Sequence, residues 1–440
     1  MSSHTWKERD GVWRRSLGSM ESFYLALATP EGDPVHWMIG SCITIAYRGI
    51  HKVEMEAALR QAWQSLVYEL PNIAAVIERD TGEMVVDTNA AAIDKWLQTS
   101  FQVHHGITAD ELFSSFKSQF RITLHFLRDT NQPVIQGMHA LIDGRGMLYL
   151  YHALFTALRS NDNNPTSCRN LTQPLDTWLQ IPVSPSDKNV RDVQSLFQRF
   201  AQEKPIQLPN VDFQRIPQRA VHRELELSQE KTQMIVESCK LRGVSVTSAW
   251  HAAVILAVKR IQAAAGEEGT SYTQFTTIDL RRWFPSNFSP QEHSVGSLQT
   301  ALPFAVQVNQ QANFDAISQS LHGQYKAPFA FADGDLGFLL PAAMAMSEQV
   351  KKGASPSSTP SLSSMGRVDD FLAQRYGDWV LLDFWISSTM LTGDIQVYLW
   401  TWGGCMTLSV CYNEAFYETK EVDDLLQQTR DEMSSGLGIL

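Results

Sequence analysis

Two stretches of this chain are apolar on nearly every face of the helix they would form. One is MLYLYHALFTALRS (147–160); the other is SVTSAWHAAVILAVKRIQAAAG (245–266), whose centre AWHAAVILAV is the longest apolar run. That run is too short to cross a bilayer, which takes about 20 residues. A helix without a polar face has to be covered on all sides by other elements. The two helices lie in different halves of 440 residues, a length too great for one typical core. Strand patterns surround each of them. HWMIGSCITIAY (36–47), FRITLHFLRD (120–129) and PVIQGMHA (133–140) precede the first, with an amphipathic helix at 53–70. AVHRELELS precedes the second, and TSYTQFTTIDL, SLQTALPFAVQV, VLLDFWIS, IQVYLWTW and MTLSVCYN follow it. Between them the composition turns to Pro and Gln, in PVSPSDKN and EKPIQLPNVDFQRIPQR. The expected organisation is a first α/β unit over 1–185, a crossover at 186–220 and a second α/β unit over 221–440. NDNNPTS (161–167) reads as the turn closing the first apolar helix, and KKGASPSSTPSLSS (351–364) as a mobile loop.

The formal net charge of −11, with no long Lys/Arg cluster, argues against nucleic acid or an anionic membrane surface as the main partner. The first residues, MSSHTWKERDGVWRRS, contain no apolar signal segment. Cysteines 42, 168, 239, 405 and 411 are scattered, odd in number and form no CxxC pair. Buried, reduced thiols and a cytoplasmic location are the expectation, with no metal. His104 and His105 are adjacent, and adjacent side chains diverge, so surface histidines are expected there.

The segment QGMHALIDGRGMLYLYHAL (136–154) places His139 and Asp143–Gly144 in a turn between a strand and the first apolar helix. Taken alone, the histidine could be a satisfied strand-end residue and Asp143–Gly144 a simple turn. Other catalytic signatures are missing: there is no GxSxG, Walker A, GxGxxG or HExxH pattern.

HALIDG matches the HxxxDG signature of the acyltransferase superfamily that includes chloramphenicol acetyltransferase, plant-type acyl-CoA transferases and peptide-synthetase condensation domains. Further blocks resemble that family in order: SVTSAWHAAVILAV, TTIDLRRWFP with its D-x-R pair, SVGSLQTALPFAV with Gln299 where Asn is usual, SSMGRVDDFL and MTLSVCYNEAFY. The chain most resembles fungal alcohol O-acetyltransferases of the trichothecene 15-O-acetyltransferase type, from about residue 36 to 435. The plant-type DFGWG motif is absent, and Asp383–Phe384–Trp385 is not its equivalent.

The resemblance implies two chloramphenicol-acetyltransferase-like subdomains, each a mixed sheet with flanking helices, and an active-site tunnel between them. It implies transfer of an acyl group, acetyl in the first instance, from acyl-CoA to a small alcohol or amine. His139 would be the general base, a role suited to its ordinary pKa. Asp143 would turn from substrate and pair with Arg281, or alternatively Arg282. Gly144 would allow backbone geometry that a side chain blocks and lend its amide to negative charge. Thr300, Ser364 and Gly366 would come near His139 from the second half. Trp385, with Trp400 and Trp402, would line an acceptor pocket, and Lys351 and Lys352 would meet the CoA phosphates. Two alternatives stay open: an acyl carrier protein as donor, or a repurposed cyclase or binding protein using the same tunnel.

Overall fold

A computed structural model describes residues 4–28, 35–50, 53–115, 120–160, 170–309, 311–353 and 356–439. The segment expected to close the first apolar helix, 161–167, and Cys168 lie outside these residues, as do positions 354 and 355 of the Ser/Pro-rich loop.

The larger sheet has six strands in the order Arg375–Tyr376, Trp379–Ser388, Met38–Tyr47, Gln132–Met138, Thr123–Leu127, Phe101–His104. Its pairs are antiparallel except the last, where Phe101–His104 runs parallel to Thr123–Leu127. Val134, Ile135 and Met138 are fully buried on the strand that leads to His139. The apolar helix Gly144–Ser160 is pinned to this sheet from inside. Its Tyr151 hydroxyl donates to the Ser41 carbonyl at 2.6 Å and accepts from the Ile135 amide at 3.1 Å, which satisfies a phenol that burial would otherwise strand.

The second sheet has four strands, Ser361–Arg367, Gln396–Trp402, Cys405–Asn413 and Ala220–Leu227. The first of these runs parallel to its neighbour and the others are antiparallel. The helix Val246–Ala264 is covered by Phe314–Lys326 and Thr419–Leu437. It starts at a Ser245 cap, whose Oγ accepts from the Ser248 amide at 3.1 Å. The buried apolar side chains fall into two clusters. Trp379–Ser388 comes from beyond the crossover yet is the neighbour of Met38–Tyr47, so the larger sheet draws strands from both sides of 186–220.

Two local expectations change. The Pro- and Gln-rich crossover contains a helix, Asp187–Ala201, started by Ser186 Oγ accepting from the Asn189 amide. Its Asn189, Val193 and Phe197 are buried at four-residue spacing, and Phe197 and Phe200 meet Phe275. The second part of the Ser/Pro-rich loop is anchored rather than free: Ser358 and Thr359 are buried, and their hydroxyls donate to the carbonyls of Leu208 and Ile206. Near the start, Lys7–Arg9 and Val12–Ser16 form a hairpin followed by the helix Ser19–Leu27. That helix is fixed by the buried pair of Arg15 and Glu21, both of whose contacts are 2.7 Å.

Candidate functional site

The strand Gln132–Met138 ends one residue before His139, and the Leu141 amide donates to the Met138 carbonyl at 2.8 Å to turn the chain sharply. Asp143, fully buried, closes the turn. Its Oδ1 accepts from the Gly146 amide at 2.7 Å and from Arg281 Nη2 at 2.9 Å; its Oδ2 accepts from the Leu298 amide at 2.8 Å. Its own amide donates to the Gly296 carbonyl. One carboxylate thus staples the His139 turn to segment 294–299 of the second half. Arg281 also donates to Asp279 Oδ1 at 3.0 Å. Burial works against the guanidinium charge, but Asp143 and Asp279 outweigh it and hold its pKa above the ordinary arginine value. Arg282 is exposed and lies over the Trp283 ring, away from Asp143.

His139 is 6% exposed. Tyr24, from the helix Ser19–Leu27, stacks on its imidazole with ring centroids 4.2 Å apart and planes 7° from parallel; Trp37 lies 6.3 Å away. Gln299 Nε2 is 3.3 Å from His139 Nε2 and donates to the Tyr24 hydroxyl at 2.7 Å. Among the described residues Nδ1 has no partner of ordinary hydrogen-bond geometry. Burial lowers the His139 pKa, against a smaller opposite pull from the Asp143 charge and from the residue's own backbone. The lowered pKa favours the neutral ring, which keeps one nitrogen lone pair able to accept a proton.

The remaining expected site residues are more dispersed. Gly144 opens the helix with an ordinary φ, so its glycine is not needed for an unusual backbone conformation; a Cβ there would meet the Met365 thioether at 3.0–3.1 Å. Thr300 is buried against Met20, its hydroxyl 3.8 Å from the sulfur, and it is the preceding Gln299 that reaches His139. Ser364 Oγ bonds Thr247 Oγ1 at 2.9 Å. Gly366 is exposed with φ +68°, in a bulge that leaves Met365 to face the His139 turn. Trp385 lies between Phe113 and His222, while Trp400 and Trp402 pack against Phe384 in the core.

Lys351 lines a groove of about 360 Å³ between the helices Ser19–Leu27 and Leu339–Lys351, but Asp176 and Glu348 line it too; Lys352 pairs with Glu348 at 3.4 Å. The groove has mixed charge, unlike a collection of cations for phosphates. His104 bonds His125 at 2.9 Å rather than joining His105, which faces Asp129. Among the described residues no three His, Cys, Asp or Glu side chains gather as metal ligands would, and no single helix is long and apolar enough to cross a membrane. Tyr24, Trp37, Met365 and Gly146 carry no motif of their own. Only Gln299, as a departure inside a familiar block, was visible in the sequence.

A comparison with protein-family models finds no match. The chain is similar to two proteins of Monascus ruber, the O-acetyltransferase pigM and the acetyltransferase pigO. It is 24% identical to pigM over 94% of this chain and 84% of pigM, and 24% identical to pigO over 99% and 98%. The trichothecene 15-O-acetyltransferase TRI3 of Fusarium sporotrichioides has a similar structure, with TM-score 0.79 at 15% identity and 98% of each chain covered. The first condensation domain of the CDA synthetase gives 0.70 at 14% identity, over 99% of this chain and 97% of that one. The chain has the mixed α/β fold of TRI3 and of this condensation domain.

Proposed function

We propose that this chain is an acyltransferase that moves an acyl group, acetyl in the first instance, from the thioester of coenzyme A to a hydroxyl of a small secondary metabolite. The observation that carries the reading is a buried imidazole stacked on Tyr24 and facing Gln299, its pKa lowered by burial. The aspartate of its motif is fully engaged in holding the turn. Asp143 is then a positioning residue and His139 the working base, within an active site formed between the 1–185 and 221–440 parts. Similarity to fungal acetyltransferases along nearly the whole chain supports the choice of reaction.

His139 Nε2 takes the proton of the acceptor hydroxyl as its oxygen attacks the thioester carbonyl carbon. The carbonyl pair moves onto oxygen, giving a tetrahedral oxyanion. Collapse breaks the carbon–sulfur bond, and His139 returns its proton to the leaving thiolate. No covalent intermediate on the protein is needed. The free, buried thiols Cys42, Cys239 and Cys411 agree with a reducing, cytoplasmic setting.

The test is thiol release from acetyl-CoA by the purified chain with candidate alcohols, beside calorimetric titration with CoA. His139→Ala should lose roughly 10²–10⁴-fold in turnover while keeping a cooperative thermal transition. Turnover near that of the parent would end the base role. No CoA binding at millimolar concentration, together with transfer from an acylated carrier protein, would replace CoA by a carrier as donor.

A further inference from the structure

We propose that the side-chain amide of Gln299 is the donor that stabilises the oxyanion, held on target by Tyr24. The inference rests on the reading of His139 as the base. Gln299 begins the strand Gln299–Gln307 and is paired in register with Asp279. Its neighbour Leu298 donates its amide to Asp143, four positions along the turn from His139. The Gln299 backbone is thus tied to the His139 turn before any substrate arrives.

The side-chain nitrogen carries two hydrogens. One is committed to the Tyr24 hydroxyl at 2.7 Å; the other faces His139 Nε2 across a longer 3.3 Å. Burial pushes the Tyr24 pKa up, so the phenol stays protonated and accepts through an oxygen lone pair. The same tyrosine lies flat on the imidazole, so one residue sets both the ring and the amide. In the resting protein the Gln299 N–H occupies the position an acceptor O–H must take on Nε2.

When that hydroxyl binds, it displaces the weaker of the two contacts. The freed N–H is then available to the carbonyl oxygen as negative charge develops on it. The acceptor O–H bond breaks, its proton goes to Nε2, the new carbon–oxygen bond forms and the carbonyl pair becomes the oxyanion that Gln299 receives. On collapse the carbonyl re-forms, the thiolate leaves with the proton from Nε2, and Gln299 returns to His139. A fixed donor in a site this buried acts where charge develops and is little screened by water.

Two measurements test this. The first is steady-state thiol release from acetyl-CoA with benzyl alcohol as acceptor. Gln299→Leu should lower kcat by about 10²-fold with little change in KM. Tyr24→Phe keeps the stacked ring but frees the amide, and should lower kcat by a smaller factor. Gln299→Glu puts a carboxylate beside Nε2 and should move the acidic limb of the pH–rate profile upward, which a loss of packing would not do. The second is ¹⁵N NMR of the histidines, assigned with His139→Ala. His139 should carry its neutral-state proton on Nδ1 in the parent and titrate higher in Gln299→Glu.

A Gln299→Leu kcat within threefold of the parent, with His139→Ala inactive, overturns the inference and leaves the base role standing. Activity in both variants removes the base role itself. If the parent releases no thiol from acetyl-CoA, the NMR decides: a proton on Nε2 excludes Gln299 as donor.

Discussion

Asp143 uses both carboxylate oxygens inside the protein, and the three donors around them are two backbone amides and an arginine also held by Asp279. Asparagine has the same shape but cannot replace it. Whichever way the amide turns, its NH₂ meets either the Leu298 N–H or the donors of Gly146 and Arg281, and Arg281 is left with Asp279 alone. Asp143→Asn should therefore destabilise the fold by about 3–5 kcal/mol, seen as a lower urea midpoint at unchanged slope. A loss below about 1 kcal/mol, the level of an exposed pair, would show that the staple is not structural. At this scale the sequence was legible where a motif is contiguous. His139, Asp143 and Gly144 stand in one six-residue string, and Arg281 in a neighbouring block. The choice of Arg281 over Arg282 follows from the turn in which the Arg281 amide bonds Asp279 Oδ1, which sequence does not specify. Tyr24 and Gln299 meet across more than half the chain, and no local pattern announces such a contact.

The helix Gly144–Ser160 enters the junction through two glycines with different tasks. A Cβ at Gly146 would lie 2.5 Å from the Ser294 carbonyl oxygen, a backbone atom tied to the same stapled segment; at Gly144 it would meet the end of a flexible methionine. Gly146→Ala should then cost about 1–3 kcal/mol through overpacking, and Gly144→Ala distinctly less, because Met365 can rotate away. Thermal denaturation of the two variants side by side checks the order, and the reverse order would mean that Met365, not segment 294–299, limits the approach. Elements were legible in proportion to their apolar periodicity. The helix at 53–70 appears as Met55–Glu69 and the apolar pair as Gly144–Ser160 and Val246–Ala264. Asp187–Ala201 was hidden because it buries only a narrow stripe and is flanked by prolines that read as linker. The helix Ser19–Leu27, which delivers Tyr24, is short and owes its place to the Arg15–Glu21 pair rather than to its own periodicity.

Across the whole molecule, charge and burial oppose each other most sharply at three histidines. Burial lowers His36, His125 and His251 to about 3 from an ordinary 6.5. The unfolded chain therefore takes up protons first. Stability is complete above pH 6.5 and falls as pH drops toward 3, by about 1.4 kcal/mol per unit for each histidine. Glu224 works in the opposite direction. Burial, then Asp383 and Asp110, push its carboxyl up to about 8, so its contribution is lost as pH rises from the ordinary glutamate value through 8. Urea midpoints should decline steeply below pH 6.5 and gently toward pH 8, and Glu224→Gln should remove a loss that begins near the ordinary glutamate value and runs through 8, flattening the alkaline side and steepening the acid side. A midpoint constant from pH 7 to pH 5 would mean that these histidines are solvated in the native state. The mixed α/β character could be read from the order of strands around two apolar helices and from the resemblance of several blocks. Which sheet Trp379–Ser388 joins could not, since alternation marks a strand without naming its neighbour.

That strand sets a timetable for synthesis. Met38–Tyr47 leaves the ribosome long before Trp379–Ser388 exists, by roughly 20–70 s at ordinary elongation rates. Until then one edge of Met38–Tyr47 has no partner, and an open apolar edge invites pairing with other chains. A nascent chain of this kind depends on chaperone cover for most of its translation, and the first half made alone should aggregate unless the second is supplied with it.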